Sequence, residues 1–220
     1  MIRFLTDPAL GRPLRLLLIG AHSDDIEIGC GGTVLQLLHD HPDASVKWVV
    51  LSSEGDRGRE AEAAARVLLT GAKEPQVAIE SFRGAYFPAE FDRIKDYFET
   101  LKSFQPDLVF THAREELHQD HRVVGELTWN TFRDHAILEY EIPKYDGGLG
   151  SPSLFVPLSE QTVESKVGLL MTAFRSQHAK NWFSPETFRG LMRLRGIECN
   201  APSGYAEAFY CRKLLLGTGG

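Results

Sequence analysis

Residues 14–33 read LRLLLIGAHSDDIEIGCGGT. The first seven are a continuous apolar run, which predicts a central parallel strand covered on both faces. Residues 21–32 then read as a loop carrying Gly29, Gly31 and Gly32, and residues 33–40 as a short helix with Val34, Leu37 and Leu38 on one side. His22, Asp24 and Asp25 therefore stand just past the carboxyl end of a strand. In an open α/β sheet that edge is where ligands bind. His and Asp are also the side chains that a borderline-to-hard metal ion recruits.

The same alternation continues outward from this stretch. Further strands are expected at 46–52, 76–81, 107–111, 137–142, 154–158 and 206–214, the fifth and sixth separated by the Gly-rich turn KYDGGLG. Helical spacing appears over 59–69, and again in Phe91, Ile94, Phe98, Leu101 and Phe104 after Pro88. Val163, Val167, Leu170, Met171 and Phe174 mark another helix. A last one covers 183–195, with Ser184 as N-cap and Pro185 in the first turn. The N-terminal segment carries Asp7 and reads as a strand rather than a signal peptide. Strands alternating with helices predict one Rossmann-like α/β domain over residues 1–220, a three-layer sandwich around a mostly parallel sheet. The part from residue 145 to 220 is expected to shape the substrate pocket.

Composition narrows the class. The 220 residues carry 30 acidic and 24 basic side chains, a net charge of −6. That argues against broad nucleic-acid binding, which leaves a basic footprint. A small anionic substrate held by a local Arg cluster stays compatible with it. No apolar run approaches the ~20 residues that span a bilayer. Cys30, Cys199 and Cys211 are too few and scattered for a disulfide framework or a Cys-type zinc site, and read as free thiols of a reducing cytoplasm. A cytoplasmic enzyme of small molecules is expected, with room for a homo-oligomer.

The loops at the carboxyl ends of the strands collect the ionisable residues. The first holds His22, Asp24 and Asp25; the second Glu54, Asp56, Arg57 and Arg59; the fourth His112, His118, Asp120 and His121. On a helix His118 and His121 share a face, one turn apart. One of them can join His22 and an Asp24–Asp25 carboxylate in a catalytic site that keeps a position open for water. Other readings are that the aspartates only cap the next helix, or that GCGG cradles a phosphate at a helix N-terminus. The glycines do not fit G-x-G-x-x-G and no P-loop Lys follows them. Arg57, Arg59, Arg83 and Tyr86 lie on the same edge as candidate substrate contacts, against the plainer reading of a solvated helix start for the first two. Arg189, Arg193 and Arg195 read as a solvated basic face. His112 lines the pocket without an assigned role. His178 either reaches the site or bonds locally, and His39, His41 and His135 have no supporting context.

AHSDDIEIGCGGT resembles the A-H-P-D-D-E-x-x-x-G-G-T-like signature of the LmbE/PIG-L family of zinc-dependent de-N-acetylases, and HQDH at 118–121 resembles that family's H-x-D-H element. The resemblance covers most of the first 130 residues or so. It implies zinc ligation by His22, Asp25 and His121, with iron(II) as another divalent candidate. It implies Asp24 as general base toward the attacking water and His118 as the group that stabilises the oxyanion and helps the amine depart. Asp120 would orient or polarise His118. Ser23 stands where the family usually has Pro, and Ile26 where many members have an acidic residue, with Glu27 following. The implied substrate is an N-acetylated amino sugar, free or conjugated, including a nucleotide-linked sugar. EYEIPKYD, FRSQH and GYAEAF resemble the branch associated with bacterial amino-sugar and surface-glycan pathways. Two other functions fit the same residues: amide hydrolysis of a non-sugar or thiol-sugar conjugate, and non-catalytic binding of a nucleotide or glycan.

Overall fold

The computed structural model describes residues 12–214. The strand expected near the N-terminus falls on residues 1–11, outside the described residues. The chain runs β1 (Arg15–Gly20), α1 (Asp25–Asp40), β2 (Ser45–Val50), α2 (Asp56–Leu68), β3 (Gln76–Ile79), α3 (Phe91–Leu101), β4 (Leu108–His112), α4 (Gln119–Thr131), β5 (Ala136–Tyr140), β6 (Leu154–Pro157), α5 (Glu160–Ala173), α6 (Pro185–Glu198) and β7 (Ala206–Tyr210).

The strands form one seven-stranded sheet in the order β3-β2-β1-β4-β5-β7-β6. The first five are parallel. β7 runs antiparallel to both β5 and β6. The expected fifth and sixth strands therefore both exist, but they are not neighbours: β7 lies between them, and KYDGGLG is no hairpin turn.

β1 shows why two helical layers are needed. Leu16 and Leu18 point into a core with residues of α1, α2, α5 and α6. Leu17 and Ile19 point into the opposite core with Ile94 and Phe98 of α3 and Val124 and Leu127 of α4. All four leucine and isoleucine side chains are fully buried. The result is an α/β three-layer sandwich. Strand order reverses between β1 and β4, which opens a crevice beyond their carboxyl ends.

The predicted glycine loop is helix. α1 begins at Asp25 and carries Gly29, Gly31 and Gly32 inside it. None of the three has positive φ, so turning is not their purpose. Crowding is. A Cβ on Gly29 would lie 2.2 Å from Cδ2 of Tyr140, and one on Gly32 2.7 Å from Leu158. α1 is buried almost all round over its first ten residues. It is also tied to distant chain: Glu207 on β7 accepts from the N–H groups of Gly32 (2.8 Å) and Thr33 (2.7 Å), while Lys166 on α5 donates to the Ile28 carbonyl (2.5 Å) and to Glu207 (2.6 Å).

Two smaller differences matter for the site. α2 starts at Asp56 rather than 59, entered through Gly55 with φ +57°, so Arg57 sits in its first turn. Arg195 is not part of a solvated face: it is buried and bonds both oxygens of Glu141 at 2.9 and 2.7 Å. Arg189 does lie outward, on Glu164, and Arg193 donates to the Gly204 carbonyl. Among the described residues no helix is long and apolar enough to cross a membrane.

Candidate functional site

The crevice between β1 and β4 receives the loop after each strand. β1 ends at Gly20, and the next residues deliver His22, Asp24 as N-cap of α1, and Asp25 as its first residue. Ser23, in the place of a ring-stiffened Pro, is fully buried and its hydroxyl bonds that of Ser53 at 2.8 Å. A tether to the loop after β2 thus replaces the missing ring. β4 ends at His112. His118 is the N-cap of α4, its Nδ1 accepting from the Asp120 N–H, and His121 lies one turn in.

Three atoms converge. His22 Nδ1 lies 3.1 Å from His121 Nε2, and Asp25 Oδ2 lies 3.4 Å from each. Donors about 2.0–2.1 Å from one tetrahedral zinc are spaced by roughly this distance. The outer sides of both rings meet carboxylates. His22 Nε2 is 3.1 Å from Asp120 Oδ2, and His121 Nδ1 is 3.3 Å from Glu116 Oε2. A histidine that gives its outer N–H to a carboxylate presents an inner lone pair. The donor set and its spacing therefore fit a divalent ion. Two overlapping groupings are also close enough to hold one: His22–His118–His121 and Asp25–His112–His121. We favour the His22–Asp25–His121 set on physical grounds. His118 Nδ1 is already an acceptor for Asp120, and His112 Nε2 is fully buried against the Ala21 N–H (3.0 Å) and Asp25 Oδ2 (3.1 Å).

The electrostatics separate the two aspartates. Burial opposes ionisation of Asp25, but His121 and His112 outweigh it and hold its carboxyl well below the usual carboxylate range. Burial and then Asp25 push Asp24 up instead, and Arg57, whose Nη2 donates to Asp24 Oδ1 at 3.2 Å, offsets part of this. Burial works against a charged His22 too; the hydrogen bonds it donates to Asp120 and Asp25 overcome it and raise this imidazole to about 9. Half-buried His118 is lowered by desolvation and by Lys144, which keeps it neutral. Asp120 is held low mainly against its burial by His22 and the Ala85 N–H.

The expected partner of the Asp120 carboxylate was His118. The carboxylate instead accepts from His22, from Ala85 N–H (2.5 Å) and from Phe87 N–H (3.1 Å), and only its backbone N–H meets His118. Of the four candidate substrate contacts, Arg57 reaches the cluster through Asp24. Arg59 pairs with Asp56, both well exposed. The Arg83 guanidinium stacks 3.5 Å over the Tyr86 ring, beside the Ala85–Phe87 backbone that holds Asp120. His178 bonds locally, to the Met171 carbonyl at 3.0 Å.

Three neighbours of the cluster were not singled out from sequence. Glu116 stands two residues before HQDH, but nothing in the sequence distinguishes it from exposed Glu115. Lys144 follows β5, and the strand-end argument would have found it had KYDGGLG not been read as a turn; its Nζ is 2.9 and 3.2 Å from the two ring nitrogens of His121. Lys180 comes from the loop before α6 and is in electrostatic reach of Asp24, Arg57, Asp25 and Lys144.

The fold and the cluster define a class: an α/β protein with histidines and carboxylates gathered at the switch point of its sheet. A family model described as PIG-L: GlcNAc-PI de-N-acetylase matches residues 17–132, more than half the chain, and the chain belongs to this family. Solved structures are similar over nearly the whole length. The conserved protein TT1542 from Thermus thermophilus is 22% identical, with TM-score 0.72, over 93% of this chain and 97% of that one. The N,N'-diacetylchitobiose deacetylase from Pyrococcus horikoshii is 23% identical, with TM-score 0.67, over 89% and 82%. GalB, the 4-carboxy-2-hydroxymuconate hydratase from Pseudomonas putida, is 17% identical, with TM-score 0.74, over 94% and 99%. The fold thus houses more than one reaction, and the residues of the site must select among them.

Proposed function

We propose that this protein is a metal-dependent N-deacetylase that cleaves the acetamide of an amino sugar or its conjugate, releasing acetate and a free amine. The observation that carries the reading is the His22–Asp25–His121 triangle with a second carboxylate, Asp24, buried beside it. Family membership and a deacetylase of similar fold support the reaction class.

His22, Asp25 and His121 would hold the ion, zinc or another divalent such as iron(II). When bound it would supply positive charge to polarise the amide carbonyl and to ease deprotonation of the attacking water. Asp24, its affinity for protons raised by burial, accepts the proton of that water. Arg57 keeps the Asp24 carboxylate pointed. Half-buried His118 stands beside His22, their rings 5.1 Å apart, and its Nε2–H donates a hydrogen bond to the oxyanion and steadies the departing amine, which takes the proton that Asp24 removed from the water. Asp120 and Glu116 fix the rings of His22 and His121. From the segment beyond residue 145, Lys180 comes within electrostatic reach of Asp24 and Asp25. Its three free cysteines suit a reducing compartment such as the cytoplasm.

The test is a reconstitution. Chelator-treated protein is assayed for acetate release from N-acetyl sugars, nucleotide-linked N-acetyl sugars and non-sugar acetamides, with and without added zinc or iron(II). Acetate released from a sugar only after metal is restored supports the proposal. No ion-dependent release from any of them sinks it.

A further inference from the structure

Glu139, on β5, is fully buried. Its two oxygens take four donors, about as many as a carboxylate can accept. Oε1 accepts from Trp129 Nε1 (2.5 Å), on α4, and from Arg212 Nε (2.6 Å). Oε2 accepts from the Arg114 N–H (3.0 Å) and from Arg212 Nη2 (3.2 Å). Among the described residues Arg212 is the one cation within ion-pair distance of Glu139. Strand β5, helix α4, the loop after β4 and the chain just past β7 thus meet at one buried charge.

The chain past β7 lies there as a strap. Arg212 Nη2 also bonds Glu115 of the loop between β4 and α4. Lys213 donates to the Arg133 carbonyl just past α4, and its Nζ stands 5.1 Å from the centre of the Trp129 ring. The strap therefore holds two consecutive residues, Arg114 by its N–H through Glu139 and Glu115 by its carboxylate. The next residue is Glu116, whose carboxylate meets Nδ1 of His121. Glu115 is exposed, and a surface pair of that kind contributes little. The buried tie is the strong one. A carboxylate buried without its counter-ion is costly, and it relaxes by drawing in water or swinging outward. Either response takes away the acceptor of the Arg114 N–H.

We propose that Arg212 is a positioning residue for the metal cluster. By neutralising and saturating Glu139 it sets the backbone from Arg114 to Leu117, and through Glu116 it aims the His121 ring. The inference rests on the reading of His121 as a metal ligand for its effect on the ion, and not for its effect on the loop.

Two measurements on the full chain separate these effects. Amide hydrogen exchange in the metal-free protein reads the loop. In Arg212→Ala the N–H groups of Arg114, Glu116 and Leu117 should exchange about tenfold faster than in the parent, while those of β1 keep their protection. Competition with a chromophoric chelator reads the ring. Arg212→Ala should weaken zinc binding about tenfold, the lower end of what a lost outer partner costs. That loss should vanish in a Glu116→Ala background, because the path runs through this carboxylate; a merely structural contribution would add in full. Where Arg212→Ala does not fold, Arg212→Lys takes its place. It leaves Glu139 a counter-ion but not the fork that spans both oxygens and Glu115, and the same shifts should appear at smaller size. Parent-like exchange at the three amides overturns the proposal. So does zinc affinity that is unchanged, or that falls equally with and without Glu116. A parent protein that binds no zinc refutes the metal reading alone, and exchange then decides the strap.

Discussion

The carboxylate of Asp120 lies 3.1 Å from Nε2 of His22, while Nδ1 of the same ring faces Asp25 and His121. Asp120 is itself clamped by two backbone N–H groups from the loop after β3, so it fixes the His22 ring in position and tautomer. Such outer partners are worth roughly 10- to 100-fold in metal affinity. Asp120→Asn should weaken zinc binding by about that factor, measured by competition with a chromophoric chelator. Unchanged affinity would show that His22 needs no such support.

Asp24 should behave differently from its neighbour. Asp24→Asn leaves the His22–Asp25–His121 triangle intact and removes the proton acceptor. Metal content should stay near that of the parent, while kcat falls by about 10²- to 10⁴-fold, the usual worth of a general base. Asp25→Asn should lose the metal first. Metal content by elemental analysis and turnover of the same preparations distinguish the two. A fully active Asp24→Asn protein would remove Asp24 from the mechanism.

The metal-free protein should lose stability toward alkaline pH. His22 is raised from 6.5 to about 9, chiefly by Asp120 and Asp25 against its burial. A folded pKa above the unfolded one means that the proton stabilises fully below about 6.5 and that the contribution disappears as pH rises through about 9. The effect is on the order of 3 kcal/mol at most. Urea midpoints of the metal-free protein should fall between neutral pH and about 9, and His22→Gln should flatten this slope. Asp25 acts on the other limb: its lowered pKa contributes stability above the ordinary carboxylate range that is lost on acidification. A bound divalent ion replaces the His22 proton, so the alkaline loss should vanish in loaded protein.

Gly29→Ala probes the helix rather than the chemistry. The new methyl would lie 2.2 Å from the ring of Tyr140, which is fully buried and donates to the Ile19 carbonyl at 2.6 Å. Overpacking of this kind costs about 1–3 kcal/mol. A lower urea midpoint with metal content retained is expected; an unchanged midpoint would mean that Tyr140 moves freely.

Much of this was legible in the sequence because it is local. The run at 14–20 and the ligand-type residues after it follow from periodicity and chain order, whereas the strand order that sets β1 beside β4 does not. The glycines misled because two causes of glycine, turning and close approach, look identical until a partner such as Tyr140, more than a hundred residues away, is in place. The Asp120–His22 contact and Lys144 were hidden for a related reason. They depend on how the loop after one strand leans toward the loop after another, which no spacing within a single segment encodes. Arg195 looked like a surface charge because its partner, Glu141, is 54 positions distant.

The ties between α1 and the end of the chain carry a consequence for the order of events at birth. Glu207 meets the backbone of Gly32 across 175 positions, and Lys166 meets Ile28 across 138. Contacts so distant in the chain form late, because their loop closure is entropically costly. The helix that begins with Asp25 is made well before β7, yet it is held in its final seat only after β7 has arrived. A nascent chain therefore carries the AHSDD segment long before that segment is seated, and the ties that seat it wait until residues 206–210 have emerged.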